Sequence, residues 1–466
     1  EGWHGLEETR QRWSDDLSKR RIITEFLKDK SLGDKRLISM PDRITNSVTL
    51  PGGGKAFRPT PISAFDEGKL SSVAEWWPKF RAFLFDLKEP DVFQEVSTHS
   101  FGSKELRVVE LLEKIPRKKY PALTEDEESI SLPLQTVCLA LFDAVLVHTV
   151  NDVADQRGID WHALKNGLTE VLVKGKVKRT IDIIANRSED ILFLQEVAGT
   201  FPKEASGHRR LAKKFHILKP SIFDVNRNQH SIILVSKKKF AKKLKSTDQS
   251  KEAADRARAL GAEIADGDLF CTLLVGTKDM QSLLLASFHG DTNGLMTVPV
   301  VEAVFDTWRA AGGGDAGGPS LIMGLDGNTH HAHTKKKQGV HEFFESITAV
   351  SSRDSSNLQI RSVVHGRAVN TSYNMRTALQ PQLQKAVRLA EMESSPLVDR
   401  NPKDHIIYVF EEWDPVENTL QRDNIGNGSF NEGIMPSLVW PSDHALMSVR
   451  LARTSKSGAV AVAPSD

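Results

Sequence analysis

The sequence predicts an α/β (α+β) fold over residues 136–453, in which short buried strands alternate with helices. Short apolar runs recur along this part of the chain, and several are separated by segments with helical periodicity. Six of the predicted strands have a carboxylate, amide or imidazole side chain at or beside one end. The chain has 466 residues, 39% of them hydrophobic and 26% charged. These values are typical of a globular protein that can bury a sizeable core.

Residues 1–135 differ from the rest of the chain in their pattern of charged, apolar and loop-forming residues. They are predicted to form a mainly helical N-terminal extension with loops, whose role the sequence does not indicate. Within it, residues 71–87 carry Trp76, Trp77, Phe80 and Phe83 at helical spacing. Such a stripe favours packing in a core, and an aromatic base-stacking platform is the alternative. At the other end, residues 454–466 are expected to be a disordered tail.

The net charge does not indicate a partner, because 62 basic residues balance 61 acidic ones. The distribution is uneven, since residues 201–245 contain thirteen Lys or Arg and only two acidic residues. We therefore predict that the basic segment 209–245 contacts a nucleic acid substrate, with a solvated surface as the alternative.

Cys138 and Cys271 lie in apolar runs and are predicted to be buried free thiols, which favours a reducing, intracellular compartment. The longest candidate membrane span, residues 137–150, is interrupted by Asp143 and His148. We therefore expect no membrane segment. The sequence does not indicate an oligomeric state.

The first predicted strand is the β-branched run 142–151, which ends at Asn151. A helix over 178–185 leads to a buried strand at 190–197, with Glu196 near its end. Further strands are predicted at 231–236, 269–276 and 282–289, the last ending at His289, together with a helix over 251–264 and a turn at 277–280.

The apolar run 321–328 predicts a buried strand that ends abruptly at Asp326, Gly327 and Asn328. Asp and Asn two positions apart can direct a carboxylate and an amide at the same point. An ordinary strand that ends in an Asp-Gly turn is the alternative.

Two late predicted strands also have polar side chains at one end. Asp404 begins one of them, and Asp443 and His444 precede the last, at 447–451. Residues 372–385 are predicted to be a loop with substrate contacts, for which Arg376 is the candidate. Zinc binding by His330, His331 and His333 is disfavoured, because no cysteine or Glu-x-x-His motif accompanies them.

The order and spacing of these residues resemble the endonuclease/exonuclease/phosphatase (DNase-I-like) superfamily. The matching pieces are Asn151, Leu194-Gln195-Glu196, His289, Asp326-x-Asn328, Lys403-Asp404-His405-Ile406 and Ser442-Asp443-His444. The resemblance implies a four-layer sandwich, in which two packed mixed β-sheets are flanked by helices and the site lies where the sheets meet.

By the same resemblance, Glu196 is the principal Mg²⁺ ligand, with Asn151 and Asp443 beside it and with Mn²⁺ as a substitute ion. Oxygen ligands suit these ions better than zinc. Asp326 would orient or deprotonate the attacking water. The remaining roles are phosphate binding by Asn328, His289 and Asn151, and catalysis by His444 with its tautomer fixed by Asp404.

The implied activity is that of a metal-dependent phosphodiesterase acting on nucleic acid. Residues 435–444 look most like the deadenylase/nocturnin branch, which favours exonuclease action at RNA 3′ ends. The alternatives are a DNase-like or abasic-site DNA endonuclease, and a non-catalytic nucleic-acid-binding protein of the same fold. The sequence departs from the usual pattern at Leu325, Gly327 and Gly290, which weakens an assignment of substrate more than one of reaction type.

Overall fold

We describe the protein from a computed structural model. It describes residues 6–15, 19, 47–49, 55–57, 69–86, 99–101, 104–106, 109, 114–118, 120–167, 176–225, 227, 229–240, 244–276, 281–351, 358–375, 398–431 and 435–454. The chain forms two compact units. The first comprises Glu1–Lys176 with Met375–Asp399, and the second comprises Val177–Asn374 with Arg400–Asp466.

The first unit is mainly helical, as predicted. Its described helices are Leu6–Asp15, Val73–Phe85, Glu125–Ser129, Ser131–Arg157 and Trp161–Asn166. Two pairs of short antiparallel strands accompany them, β1 (Ser47–Thr49) with β2 (Lys55–Phe57) and β3 (His99–Phe101) with β4 (Lys104–Leu106).

The predicted aromatic helix is present as Val73–Phe85. Trp76, Phe80 and Phe83 are buried, whereas Trp77 is 46% exposed. The indole N–H of Trp76 donates to the carboxylate of Asp143 on the long helix Ser131–Arg157. Three of the four aromatic side chains therefore belong to a core.

The prediction of a strand over residues 142–151 is wrong, because these residues lie inside the 27-residue helix Ser131–Arg157. An apolar run is compatible with either a buried strand or a buried helix. Here helix-compatible residues flank the run on both sides, and the helix continues until Gly158, which adopts a left-handed conformation with φ 61°. The predicted domain boundary near residue 135 also falls inside this helix, and the compact units divide after Lys176 instead.

The second unit contains the remaining described elements. Its helices are Lys176–Asn186 (whose first residue belongs to the first unit), Phe201–Gly207, Arg209–Lys214, Ser250–Ala259, Thr297–Ala310 and Val340–Ser351. Its strands are β5 (Ile191–Val197), β6 (Phe215–Leu218), β7 (His230–Ser236), β8 (Ser246–Asp248), β9 (Leu269–Leu274), β10 (Leu283–His289), β11 (Ser320–Asp326), β12 (Ile360–Ser362), β13 (Ser372–Met375), β14 (Val398–Asn401), β15 (Asp404–Val409), β16 (Trp413–Pro415), β17 (Gln421–Asp423), β18 (Leu446–Ser448) and β19 (Leu451–Arg453). The ends of β13 and β14 lie at the division between the units.

Two sheets dominate this unit. One has three antiparallel strands in the order β5-β7-β6, and the other has six strands in the order β12-β15-β11-β10-β9-β8. Strands β10 and β11 are parallel, whereas the other pairs in the larger sheet are antiparallel. The larger sheet is therefore mixed.

Side chains alternate between the two faces of β10, as the pleat requires. Leu283 and Leu285 pack towards the smaller sheet, in a core shared with Ile233 and Val235 of β7. Leu284 and Ala286 pack instead against helices on the outer face. The helix Lys176–Asn186 and its neighbours cover the outer face of the smaller sheet in the same way. These layers confirm the predicted four-layer sandwich.

A glycine in β11 lets the two sheets approach closely. A Cβ atom on Gly324 would lie 2.4 Å from the ring of Phe193 on β5. The side-chain amide of Gln195 crosses the same interface and donates to Oγ of Ser287 at 3.0 Å and to the carbonyl of Gly324 at 3.3 Å. This contact fixes the carboxyl end of β5 beside β10 and β11.

The remaining differences from the sequence predictions are small. The single strand predicted at 447–451 is two short strands, β18 and β19, which pair with β17 and β16 respectively. Cys271 is buried and not in a disulfide, as predicted. The predicted turn at 277–280 and residues 455–466 of the tail predicted at 454–466 lie outside the described residues, as does the side chain of Cys138. No helix in the described part of the chain is both long and apolar enough to span a membrane.

Candidate active site

Three predicted site residues form one row across the larger sheet. In the strand register His289 of β10 is opposite Asp326 of β11, and Asp326 is opposite Asp404 of β15. Because β15 is antiparallel to β11, its first residue lies beside the last residue of β11. Nε2 of His289 lies 3.7 Å from Oδ2 of Asp326. The predicted clustering of strand-end residues is present here.

Glu196 reaches the same edge from the smaller sheet. The pairing of β5 with β7 is irregular between Leu194 and Val197, and Glu196 adopts a left-handed backbone conformation with φ 53°. A residue other than glycine rarely adopts this backbone conformation without support from its surroundings. Oε1 of Glu196 lies 3.3 Å from Nε2 of His289, and the Glu196 side chain is 55% exposed, against 8% for Asp326. Glu196 is thus at the mouth of the site and Asp326 at its floor.

Backbone pairing holds His444 over the row. Ser372 and His444 form an isolated antiparallel bridge, Tyr373 N–H donates to the carbonyl of Asp443, and Ala445 N–H donates to that of Thr371. The His444 imidazole then lies between two carboxylates. Its Nδ1 is 2.9 Å from Oδ2 of Asp404 and its Nε2 is 3.6 Å from Oδ2 of Asp326.

Asn328 is held by three contacts just beyond β11. It has φ 48°, and its backbone N–H donates to Oδ1 of Asp326 at 2.9 Å. Its side-chain N–H donates to the carbonyl of Gly290 at 3.0 Å, and its Oδ1 accepts from Nζ of Lys403 at 2.7 Å. The amide therefore has a fixed orientation, with one side-chain N–H left beyond the bond to Gly290.

At Gly290 and Gly327, two of the positions where the sequence departs from the pattern that it resembles, a side chain would be too close to its neighbours. A Cβ atom on Gly290 would lie 2.9 Å from Oγ1 of Thr297 and 3.2 Å from the carbonyl oxygen of Asp326. One on Gly327 would lie 3.1 Å from Cγ2 of Thr297. The Thr297 hydroxyl donates to the carbonyl of Gly327 at 2.7 Å. The glycines therefore let the helix Thr297–Ala310 begin close behind the site.

Burial and mutual attraction set the charges of this group. Burial raises the pKa of Asp326. For Asp404, burial is outweighed by its bond to His444, which holds the pKa of that carboxyl below its usual range. Burial also opposes charge on His444, but the carboxylates of Asp404 and Asp326 raise its pKa to about 10. His444 is therefore an imidazolium at neutral pH, and each of its N–H groups faces a carboxylate.

A second histidine, His405, lies buried beneath the row. Its Nε2 is 2.9 Å from Oγ1 of Thr329, whose hydroxyl donates to the carbonyl of Pro402, so Nε2 is the donor. The ring packs against Phe343 and Phe344. Burial lowers the pKa of His405 to about 4. It is a neutral structural residue that supports the floor of the site.

Two residues that contact the site had no role in the sequence predictions. Oγ1 of the buried Thr371 accepts the backbone N–H groups of Lys403 and Asp404 at 3.2 and 3.0 Å. Nothing local in the sequence marks Thr371. Lys403 stands within the predicted motif directly before Asp404, which is the signal that would have found it.

Asp326, Asp404 and His444 could hold a metal ion, because one ligand atom from each lies within 4.8 Å of the others. Ion pairs of His444 with Asp326 and with Asp404 account equally well for the short distances among these three residues. Glu196 offers a separate, accessible carboxylate. Asp443 directly precedes His444, and its negative charge contributes to the raised pKa of that imidazole.

One predicted site residue, Asn151, does not lie at a strand end. Asn151 lies in a helix of the first unit, where its side-chain N–H donates to the carbonyl of Leu70 at 2.6 Å. Its predicted place at a strand end is therefore wrong, and its roles at the metal and the substrate stay what the resemblance implies. Arg376 lies outside the described residues. Of the histidines considered for zinc, His331 contacts Oδ1 of Asn370 at 2.6 Å, and Nδ1 of His333 accepts from Gly339 N–H.

Part of the basic segment has a structural use. Nζ of Lys214 donates to the carbonyl of Ala185 at 3.4 Å, and Nζ of Lys237 donates to that of Ala212 at 2.6 Å. Both acceptors lie near helix ends, where a lysine satisfies carbonyls that lack partners. Lys238 and Lys239 are exposed. Lys214 and Lys237 therefore help to hold helix ends, and the contact of this segment with nucleic acid stays a prediction.

The chain resembles several solved structures at low sequence identity. One is D. rerio TDP2 complexed with a single-strand DNA product, with 14% identity, a TM-score of 0.38, and coverage of 62% of this chain and 95% of that one. Another is the human Nocturnin catalytic domain with bound sulfate, with 15% identity, a TM-score of 0.35, and coverage of 60% and 87%. A third is the Bacteroides vulgatus endonuclease/exonuclease/phosphatase, with 12% identity, a TM-score of 0.38, and coverage of 60% and 91%.

Sequence comparison finds one family match, which covers the N-terminal part of the chain. Residues 1–166 match a family described as a domain of unknown function, DUF8234. The match extends through most of the first compact unit and includes the whole helix Ser131–Arg157. A comparison with curated protein sequences finds no match.

Proposed function

We propose that this chain is a metal-dependent phosphoesterase that hydrolyses phosphodiester bonds in nucleic acid. One observation carries the proposal. His289, Asp326 and Asp404 share a register row, His444 lies between two of these carboxylates, and Glu196 lies 3.3 Å from His289. A carboxylate for a cation, a buried carboxylate for water and imidazoles for an anion therefore lie together.

Glu196 and Asp443 are the residues proposed to hold Mg²⁺ or Mn²⁺. The donor chemistry fits, because both offer carboxylate oxygens and Glu196 is half exposed at the mouth of the site. A divalent ion bound there would offset the negative charge of a phosphate ester.

The other residues activate the water molecule, bind the phosphoryl oxygens and position the His444 ring. Asp326 orients a water molecule for in-line attack on phosphorus and accepts its proton, because its burial favours the protonated product state. His444 and His289 donate to the non-bridging phosphoryl oxygens, where negative charge grows in the transition state. Asp404 holds the His444 ring through Nδ1 and leaves Nε2 to face the site.

Within this class we favour exonuclease action at RNA 3′ ends, similar to the deadenylases. The resemblance of residues 435–444 supports it, and the exposed lysines 238 and 239 offer contacts for a phosphate backbone. A DNA endonuclease and a non-catalytic nucleic-acid-binding protein are the alternative outcomes of the test.

The test is incubation of the purified chain with Mg²⁺ and labelled single-stranded RNA, duplex DNA, abasic DNA and small phosphorylated metabolites. Asp326→Asn removes the water-activating carboxylate, and Asp315→Asn changes an exposed carboxylate elsewhere as a matched control. We expect the parent and the control to cleave at least one substrate. The Asp326 variant should be slower by roughly 10²–10⁴-fold. Failure of the parent on every substrate, or equal rates for all three proteins, would contradict the proposal.

A further inference from the structure

Lys403 is fixed at the start of β15 by its own backbone. Its N–H donates to Oγ1 of Thr371 at 3.2 Å, and its carbonyl accepts from Gly327 N–H at 2.8 Å. These bonds join it to the two chain segments that bear Asp326 and the His444 pairing. The position of its side chain is therefore determined by the same contacts that build the site.

The Lys403 side chain turns towards Asn328, to which the resemblance of the sequence assigns phosphate binding. Its Nζ donates to Oδ1 of Asn328 at 2.7 Å, and Lys403 is partly buried. An ammonium group has three N–H donors, and a single amide oxygen satisfies one of them. Burial raises the pKa of Asp326, and the positive charge of Lys403 lowers it, as expected of a neighbouring cation.

Lys403 makes no ion pair with any residue in the described part of the chain. The two nearest acids in the row have other partners, since Asp404 is bonded to His444 and Asp326 accepts from the backbone of Asn328. A partly buried cation bonded to a neutral amide is incompletely compensated. An anion beside Asn328 would supply the missing charge.

We propose that Lys403 is a further substrate-binding residue, whose ammonium donates a charge-assisted hydrogen bond to a non-bridging oxygen of the scissile phosphate beside Asn328. The inference rests on the proposed function and deepens it, because it adds a permanent cation to the two imidazoles. Such bonds are shorter and stronger than those between neutral groups.

The competing interpretation is that Lys403 only holds the Asn328 amide. The two are distinguished in an Asn328→Ala background. A lysine that touches phosphate still contributes to binding when the amide is absent, whereas a lysine that acts through the amide contributes nothing further.

The experiment measures the affinity for inorganic phosphate by calorimetry in the presence of Mg²⁺, with circular dichroism to verify folding. Lys403→Met removes the charge, Lys403→Arg keeps it, and Lys335→Met changes an exposed lysine in the same unit as a matched control. Lys403→Gln replaces the methionine variant if that variant does not fold.

We expect Lys403→Met to weaken phosphate binding about tenfold, in the parent and in the Asn328→Ala background alike. Lys403→Arg should retain most of the affinity, and Lys335→Met all of it. Unchanged affinity in Lys403→Met, no further loss in the Asn328→Ala background, or no phosphate binding by the parent would overturn the inference. If the parent binds phosphate with this dependence on Lys403 but cleaves no ester, the phosphate-binding role of Lys403 stands and the proposed function fails.

Discussion

The imidazole of His444 donates through Nδ1 to Oδ2 of Asp404 at 2.9 Å, although 40 positions separate the two residues in sequence. The contact depends on two separate pairings. Asp404 is placed by the register of β15 against β11, and His444 by backbone bonds to residues 371–373. Because Nδ1 is occupied by Asp404, Nε2 is the nitrogen that faces Asp326.

The first prediction concerns this pair as one unit. Asp404→Asn should lower the turnover number more than it raises the Michaelis constant, because it removes the carboxylate that stabilises charge on His444. The double variant Asp404→Asn with His444→Ala should then be little slower than His444→Ala alone. The measurement is kcat for the four proteins of the cycle. Multiplicative losses in folded variants would mean that Asp404 acts independently of His444.

The second prediction separates the two candidate metal positions. Glu196→Gln should keep the fold and weaken Mg²⁺ binding, because a neutral amide is a poorer ligand for a hard cation. His444→Ala should leave Mg²⁺ affinity nearly unchanged. Calorimetric titration of Mg²⁺ into each variant checks this. The opposite ranking would place the ion among Asp326, Asp404 and His444 instead.

The third prediction tests Thr371 as a positioning residue. Thr371→Val removes a hydroxyl that accepts two partly buried backbone N–H groups, which should cost roughly 1–3 kcal/mol of unfolding free energy. The rate should fall as well, because Asp404 loses one of its anchors. Thr307→Val is the matched control, since Thr307 is buried and its hydroxyl donates to Ala303 in the last turns of the helix Thr297–Ala310, away from the end of that helix that lies behind the site. Equal rates for the two variants would contradict the role of Thr371.

The fourth prediction is a pH dependence of stability from His405. Its pKa is lowered from 6.5 to about 4 by burial, so the unfolded chain binds the proton more readily than the folded one. The contribution of neutral His405 to stability is full above pH 6.5 and is lost as the pH falls from 6.5 to 4. Its size is roughly 3 kcal/mol, from the size of the pKa difference.

Urea unfolding of the parent and of His405→Gln across this range isolates the contribution, because glutamine does not ionise. His341→Gln, at an exposed position, serves as the control. The difference in unfolding free energy between parent and His405→Gln should shrink as the pH falls. A constant difference would show that His405 is protonated equally readily in both states.

The ends of buried strands were the part of the site that the sequence could predict. Glu196, His289 and Asp326 each terminate an apolar run, and local periodicity is sufficient to locate such runs. Their proximity is a matter of strand order, which is not local. The neighbouring position of β15 and β11 was available only through the resemblance of the Asp404 motif to a known family.

Asn151 shows where local reasoning failed. Its β-branched neighbours are compatible with a strand, but tertiary packing in the first unit favours a continuous helix through the same residues. Lys403 shows a different limit. Its position in the motif was evident, yet its bond to Asn328 depends on how β15 begins against the end of β11.

Hydrolysis at this site is tested most directly by single-turnover cleavage of a substrate from the panel in ¹⁸O-labelled water with Mg²⁺. Attack of water on phosphorus, oriented by Asp326, predicts one ¹⁸O atom in the product phosphate group. Asp326→Asn should slow that labelling by roughly 10²–10⁴-fold while the fold is kept. Cleavage without label in the phosphate, or labelling by Asp326→Asn at the rate of the parent, would contradict the assignment of this row of residues as a phosphoester-hydrolysing site.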